Sequence, residues 1–321
     1  MLWTEENISY CLLAWDDYDE NRTNVYGNES LPISGLYNWA NALDGKRMFP
    51  RTEEELAQFN LFHINVTGRN LYLLNTFLKT KPINSKLILN VDRAVELWAG
   101  SFQYIDHFLD QINKADYIFG VEPLMCDILE RALKRKVPCL PHPVATHLLK
   151  DLRCAERLNQ IMFSLHRYDI NFLLSDFIIK ELPKTWQTIA CGSTGMNKSE
   201  LMHIFTFIKE QSKFADLMEL TSKMYAAYET YTLHSYGRYS AECACLGVPC
   251  VGSKIVGSIS RCFPELTTDT NDIKAASSLL NKLINDQDFW SHCALEGVDR
   301  SEFYSYDNSK KRLIEFLNAS Q

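Results

Sequence analysis

The residues best suited to chemistry lie in one run, from Tyr231 to Ser253. His234 stands eight positions before Glu242, and Tyr236, Gly237 and Arg238 lie between them. Gly237 permits a tight turn, Gly247 suits a left-handed helix cap, and Pro249 stops a helix from continuing. The run therefore reads as strand, glycine turn, helix and second strand. A helix that starts at the carboxyl edge of a sheet points its first amides at a ligand, so the backbone around Tyr236 to Tyr239 suits an anion such as a phosphate. Arg238 has a guanidinium that can hold phosphate oxygens in pairs, and it fits equally as a solvated surface cation. Glu242 is either a ligand-facing acceptor or a first-turn acid favoured by the helix dipole. A further cation, Arg167, closes the segment Phe163-Ser-Leu-His-Arg-Tyr-Asp169, at the end of an apolar run that reads as a strand.

Such groups need a scaffold, and the rest of the chain supplies an α/β pattern of short apolar runs alternating with longer amphipathic segments. In the first half strands are expected at Ser9–Trp15, Leu61–Asn65, Leu87–Val91, Tyr117–Gly120 and Val137–Leu140, with helices at Leu36–Leu43, Leu71–Leu78 and Leu124–Leu133. In the second half the expected strands are Gln160–Leu165, Thr188–Cys191, Tyr231–Leu233 and Cys250–Gly252, and the helices include Ile170–Leu182, Lys198–Glu210 and Tyr239–Leu246. Pro141-His142-Pro143-Val144 holds the chain extended between the halves, which makes it a linker and gives His142 a structural part. His63, inside an apolar strand, reads as a satisfied core histidine.

The 231–253 run resembles the C-terminal signature of GT-B glycosyltransferases of the group 1, family-four-like type. There a Glu-Gly-Phe-Gly segment leads to a second Glu eight positions after the first, then to Ala-x-Ala-x-Gly-x-Pro-Val-Val. This chain keeps the spacing in Tyr236-Gly237, Glu242, Ala244, Gly247, Pro249 and Val251, and has His234 in place of the first acid. The resemblance implies two Rossmann-like parallel-sheet domains facing each other across a cleft: an acceptor-side domain over residues 1–147, a nucleotide-sugar-binding domain over 148–301 and a closing helix over 302–321. It implies transfer of a sugar from a nucleotide diphosphate donor with retained configuration, and Arg167, Arg238 and the helix N-terminus near Gly237 are expected to stabilise the departing diphosphate without a metal or other cofactor. Glu242 would accept hydrogen bonds from ribose hydroxyls, and His234 would approach the donor sugar. Arg167 matches the family's diphosphate-binding Arg, whereas the Lys that usually follows is absent until Lys180, which leaves Arg238 as its replacement. In the first domain Gly35 would let backbone approach the donor phosphates. Asp92 would position an acceptor hydroxyl or cap the next helix. The missing Lys and His234 also fit a degenerate GT-B protein that binds without catalysis.

Composition narrows the partners. The chain has 321 residues, 46 % apolar and 23 % charged, with a net charge of -7, so disorder and non-specific nucleic-acid binding are disfavoured. The basic cluster Lys134-Arg-Lys136 supports at most transient contact with an anionic membrane. Ten cysteines scattered from Cys11 to Cys293 read as reduced thiols, which together with the N-terminal composition predicts a cytoplasmic protein. Cys191-Gly-Ser-Thr-Gly-Met-Asn-Lys-Ser199 lacks the glycine before Lys that a P-loop requires.

Overall fold

The structure is a computed structural model that describes residues 2–14, 35–49, 52–66, 71–92, 94–98, 105–165, 171–191, 201–209 and 213–320. The chain forms two compact units. The first runs through Val144 and takes up the chain again at Tyr304–Gln321, and Ala145–Phe303 build the second.

In the first unit β1 (Tyr10–Leu13), β2 (Lys46–Met48), β3 (Leu61–Val66), β4 (Lys86–Val91) and β5 (Tyr117–Gly120) form a sheet in the order β2-β1-β3-β4-β5, each pair parallel. Its central strands are buried on both faces, and this is why they read as unbroken apolar runs. Helices α1 (Asn38–Ala42), α2 (Leu71–Thr80), α3 (Ile105–Ile112) and α4 (Pro123–Leu133) belong to this unit. Leu73, Leu74 and Phe77 of α2 and Phe108 and Ile112 of α3 join Phe62, Ile64, Leu87 and Leu89 in one core. The C-terminal helix Tyr306–Ala319 is tied to this unit by Asn318, which bonds the backbone of Trp3, and by Phe316 against Tyr117. The expected strand Val137–Leu140 is not formed. Pro138 and Pro141 lack amide protons, and only a bridge between Gly120 and Cys139 survives, with Leu140 N–H donating to Gly120 C=O at 2.8 Å.

The second unit orders its strands β11-β10-β9-β6-β7-β8, again all parallel: β6 (Leu158–Ser164), β7 (Gln187–Cys191), β8 (Phe207–Lys209), β9 (Met224–Glu229), β10 (Cys250–Ser253) and β11 (Thr267–Thr268). Helices α5 (Asn171–Lys180), α6 (Phe214–Ser222), α7 (Arg238–Cys245), α8 (Gly257–Cys262), α9 (Ile273–Asn285) and α10 (Gln287–Ser301) belong to it, as does the short helix Thr146–Lys150. Two expectations are corrected here. The strand before the signature glycine is Met224–Glu229, not Tyr231–Leu233. Ala226 and Ala227 are the residues that fit, buried between β6 and β10, and the chain has turned out of the sheet by Tyr231. Of the expected helix Lys198–Glu210, residues 198–200 and 210 lie outside the described residues and Leu201 is helical, but Phe207–Lys209 form edge strand β8, which pairs Ile208 with Ala190. β6 leads one way across the sheet to β7 and β8, whereas β9 leads the other way to β10 and β11. The strand order thus reverses between β6 and β9, the place where open α/β sheets bind ligands at their carboxyl ends.

Candidate functional site

Gly237 is the N-cap of α7 and adopts a left-handed conformation, φ 80° and ψ 63°, which only glycine reaches without strain. Its carbonyl lies 3.1 Å from Ser240 Oγ and 2.5 Å from Ser258 Oγ, and the two hydroxyls lie within hydrogen-bond distance of each other, so their two protons are shared among these three contacts. Gly257 N–H donates to Ser235 C=O at 2.9 Å and Ser258 N–H to Tyr236 C=O at 3.0 Å, so the 234–237 loop is clamped along the start of α8. The first intrahelical bond of α7 is Ala241 N–H to Gly237 C=O, which places the amides of Arg238, Tyr239 and Ser240 ahead of the helical ladder at its positive end.

The other end of α7 is fixed as firmly. Gly247, φ 67°, ends the helix with paired bonds from its own N–H to Ala244 C=O and from Val248 N–H to Cys243 C=O. Arg157 donates to the carbonyls of Leu246 and Gly247, and Arg153 Nε to Cys245 C=O at 2.7 Å. From Tyr239 to Cys245 every residue of α7 is buried, and the helix is held axially and laterally.

Along that helix Glu242 is 2 % exposed, and its Oε1 lies 3.7 Å from Nε of Arg238, one turn earlier. Arg238 is half exposed. A carboxylate kept in a buried wall can accept from hydroxyl donors, and the partly solvated guanidinium beside it can hold an anion. Sequence reasoning missed a third member, Glu229, the last residue of β9. Glu229 sits at the strand reversal, in register with Ser164 of β6 and Gly252 of β10. Burial, with the Glu242 carboxylate adding to it, pushes its pKa up to about 8 against the pull of the Ser164 and Tyr231 hydrogen bonds and Arg238. The signal was present: a lone acid closing an otherwise apolar run just upstream of the glycine turn. A strand expected at Tyr231–Leu233 hides it. His234 and Tyr236 occupy the intervening loop, with Tyr236 buried and His234 partly exposed.

The first unit holds the remaining expected residues. Gly35, φ 118°, opens the turn into α1, where Asn38 N–H donates to its carbonyl at 3.1 Å, and residues 31–34 of the expected loop lie outside the described residues. Asp92 follows β4, and its Oδ2 lies 3.2 Å from Nε2 of buried His142. Trp39 Nε1, which can only donate, approaches His142 Nδ1 at 3.1 Å. His142 therefore carries its proton on Nε2 and donates it to Asp92, a polar pairing rather than a bare hinge. His63 is a satisfied core histidine, between the Tyr10 hydroxyl and Asn90 Oδ1 at 2.6 Å, and burial lowers its pKa to about 3. Arg167 and residues 192–199 of the P-loop-like segment lie outside the described residues.

Solved structures share this architecture at low identity. Sucrose-phosphate synthase from Thermosynechococcus elongatus matches over 98 % of this chain and 100 % of its own, with 14 % identity and a TM-score of 0.68. A Burkholderia multivorans trehalose 6-phosphate synthase matches 81 % of this chain and 70 % of its own at 12 % identity and 0.57. A variant of S. aureus TarM, solved with fondaparinux, α-GlcNAc-glycerol and UDP, matches 80 % of this chain and 55 % of its own at 9 % identity and 0.64. The fold is GT-B. No protein-family model matches the chain, and no curated protein sequence does.

Among the described residues one cluster brings metal-type ligand atoms within 4.8 Å of one another: Glu265, His292 and Glu296. It lies on α10 and the turn before β11, with His292 bonded to Glu265 at 2.8 Å and Arg300 paired with Glu296 at 2.7 Å. These groups are already engaged with each other and with Arg300. Of two Asp-x-Asp pairs in the chain, Asp17 and Asp19 lie outside the described residues, and Asp286-Gln-Asp288 opens α10, where Asp286 caps the amide of Phe289 at 2.9 Å. No helix among the described residues is long and apolar enough to cross a membrane.

Proposed function

We propose that the protein is a glycosyltransferase that moves a sugar from a nucleotide diphosphate donor to an acceptor. The observation that carries this reading is the clamped glycine turn at the start of α7, which brings Glu242 and Arg238 to the strand reversal of the second GT-B unit. Breaking the bond between sugar and phosphate leaves negative charge on the departing diphosphate. The α7 amides, Arg238 and Arg167 stabilise that charge electrostatically, so the reaction proceeds without a divalent metal or other cofactor. Glu242 accepts from the ribose, His234 faces the donor sugar, Tyr236 and Gly237 shape the loop, and Gly35 and Asp92 serve the phosphates and the acceptor. The configuration at the sugar carbon is retained. The nucleotide sugar and an acceptor glycan, lipid or small molecule are its partners, with no nucleic acid and at most transient membrane contact. Ten free thiols agree with a cytoplasmic location.

A thermal-shift screen with UDP, ADP, GDP and their sugar conjugates is the direct test, since a ligand that binds the folded state raises apparent stability by mass action. Binding followed by donor turnover in the presence of EDTA supports the reading. Turnover abolished by EDTA and restored by magnesium or manganese overturns the metal-free part of it. His234 in place of an acid favours a second reading, a protein that binds the donor without turning it over. Donor binding with no hydrolysis or transfer across a broad acceptor panel would establish that one.

A further inference from the structure

His142 reads from sequence as part of an extended linker, yet its ring does more than fill space. The segment that carries it is held by other groups: Asn38 Nδ2 donates to Pro143 C=O at 3.2 Å, and Val144 N–H donates to Tyr304 C=O at 2.8 Å. An apolar side chain would pack there with no polar demand. His142 instead buries an imidazole only 4 % exposed, which is costly unless its nitrogens find partners. Trp39 Nε1 lies 3.1 Å from Nδ1, and Nε2 lies 3.2 Å from Asp92 Oδ2.

The indole decides which nitrogen carries the proton. Trp39 is fully buried, edge-on to Phe119 at 5.7 Å and to His63 at 6.4 Å between ring centroids, and this packing fixes the direction of its N–H. Because an indole nitrogen only donates, Nδ1 accepts, and the proton of the neutral imidazole sits on Nε2, facing Asp92. The receiving end differs. Asp92 follows β4, and its amide donates to Val66 C=O of β3 at 3.3 Å, so the sheet still holds its backbone. Its side chain is 42 % exposed beyond the carboxyl end of β4, the side on which open α/β sheets bind ligands. A buried indole from α1 and a buried imidazole from the 141–144 segment thus set the direction of one solvent-reaching carboxylate. A carboxylate anchored in this way is a fixed acceptor, suited to a hydroxyl, which donates.

We propose that His142 is a positioning residue of the acceptor site: with its tautomer set by Trp39, it directs the Asp92 carboxylate to receive the hydrogen bond of the hydroxyl to which the sugar is transferred. The inference rests on the glycosyltransferase reading. Asp92 is the group that meets the substrate, and His142 acts through it. Without the imidazole the carboxylate can rotate, and the acceptor hydroxyl loses its direction. Glu242 and Arg238, proposed to hold the nucleotide, belong to the second unit and are unaffected.

The test uses the nucleotide sugar selected by the thermal-shift screen, with D-glucose, D-mannose, N-acetylglucosamine and glycerol as acceptors. His142→Leu should lower kcat/KM for the acceptor about 10- to 100-fold and leave the donor Kd within about twofold. His142→Gln should return kcat/KM to within about threefold of the wild type, because its amide nitrogen can donate to Asp92 and its amide oxygen can accept from Trp39. A ring that only filled space would be replaced better by Leu than by Gln, and that order overturns the inference. Trp39→Phe, which keeps an aromatic ring in place, covers the case in which His142→Leu does not fold. Long-range proton–nitrogen spectra of histidine-labelled protein should show His142 protonated on Nε2 alone in the wild type and as a mixture of tautomers in Trp39→Phe. A wild-type proton on Nδ1, or equal acceptor kcat/KM in His142→Leu and the wild type, overturns the inference and leaves the transferase reading standing. Donor binding without transfer to any of these acceptors overturns the inference and favours the binding-only reading instead.

Discussion

Replacing Gly237 by alanine probes the turn on which the whole candidate site depends. The left-handed backbone at φ 80° costs an alanine about 1 kcal/mol in conformation alone. The new Cβ would press on Val256 Cγ1 and Ser258 Oγ inside van der Waals contact and would lie 2.9 Å from Ser240 Oγ. These neighbours have little room to yield. Both hydroxyls lie within hydrogen-bond distance of the Gly237 carbonyl and of each other, and Val256 is fully buried. Displacing them forfeits at least one hydrogen bond, about 1 kcal/mol, and adds an overpacking cost of roughly 1 to 3 kcal/mol. The sum, about 3 to 5 kcal/mol, is a large share of a typical domain stability of roughly 5 to 15 kcal/mol. The alternative is that the 234–237 loop lifts off α8, which carries the α7 amides away from the strand reversal. Urea unfolding followed by tryptophan fluorescence, paired with nucleotide calorimetry, distinguishes the two outcomes. A lower midpoint reports the first, and a preserved midpoint with lost affinity reports the second. Gly237→Ala with both wild-type stability and wild-type affinity would refute the reasoning.

Glu242→Ala should weaken nucleoside diphosphate binding by about 1 to 3 kcal/mol with an intact circular dichroism spectrum, and unchanged affinity removes Glu242 from the site. Arg167→Ala should lower turnover about 100-fold, roughly 3 kcal/mol, and Arg238→Ala by a similar or smaller factor, each affecting turnover more than donor binding. The double variant should be less than additive if both cations hold one phosphate group, and wild-type kinetics in Arg238→Ala would make that residue a surface cation. His63 imposes a pH dependence on folding. Its pKa falls from 6.5 to about 3 on folding, so the unfolded chain binds the extra proton, and stability drops by up to about 1.4 kcal/mol per pH unit between pH 6.5 and pH 3. His63→Gln should flatten that slope in urea melts at pH 6.5, 5.5 and 4.5, whereas an equal slope in both proteins would show that other groups carry the acid sensitivity.

The signature helix was legible because its boundaries are local. Gly237, Gly247 and Pro249 restrict their own backbone whatever surrounds them, and α7 starts and stops where those three residues require. The central strands were legible for a related reason. A parallel sheet buried on both faces demands continuous apolar runs, so Leu61–Val66, Leu87–Val91 and Tyr117–Gly120 announce themselves, and their alternation with amphipathic helices gives the fold class. Edge strands β2, β8 and β11, of two or three residues, carry too little pattern to be read and exist because a neighbouring strand offers its backbone. Between Met224 and Leu233 two apolar stretches competed for one place in the sheet. Packing chose the earlier one, where alanines fit between β6 and β10, and that choice set Glu229 at the strand reversal. The meeting of Asp92 with His142, and of Glu229 with Ser164 in the sheet register, joins residues far apart in the chain. No local preference encodes such pairs, because they form only when separate strands and helices close on one another and shut out water.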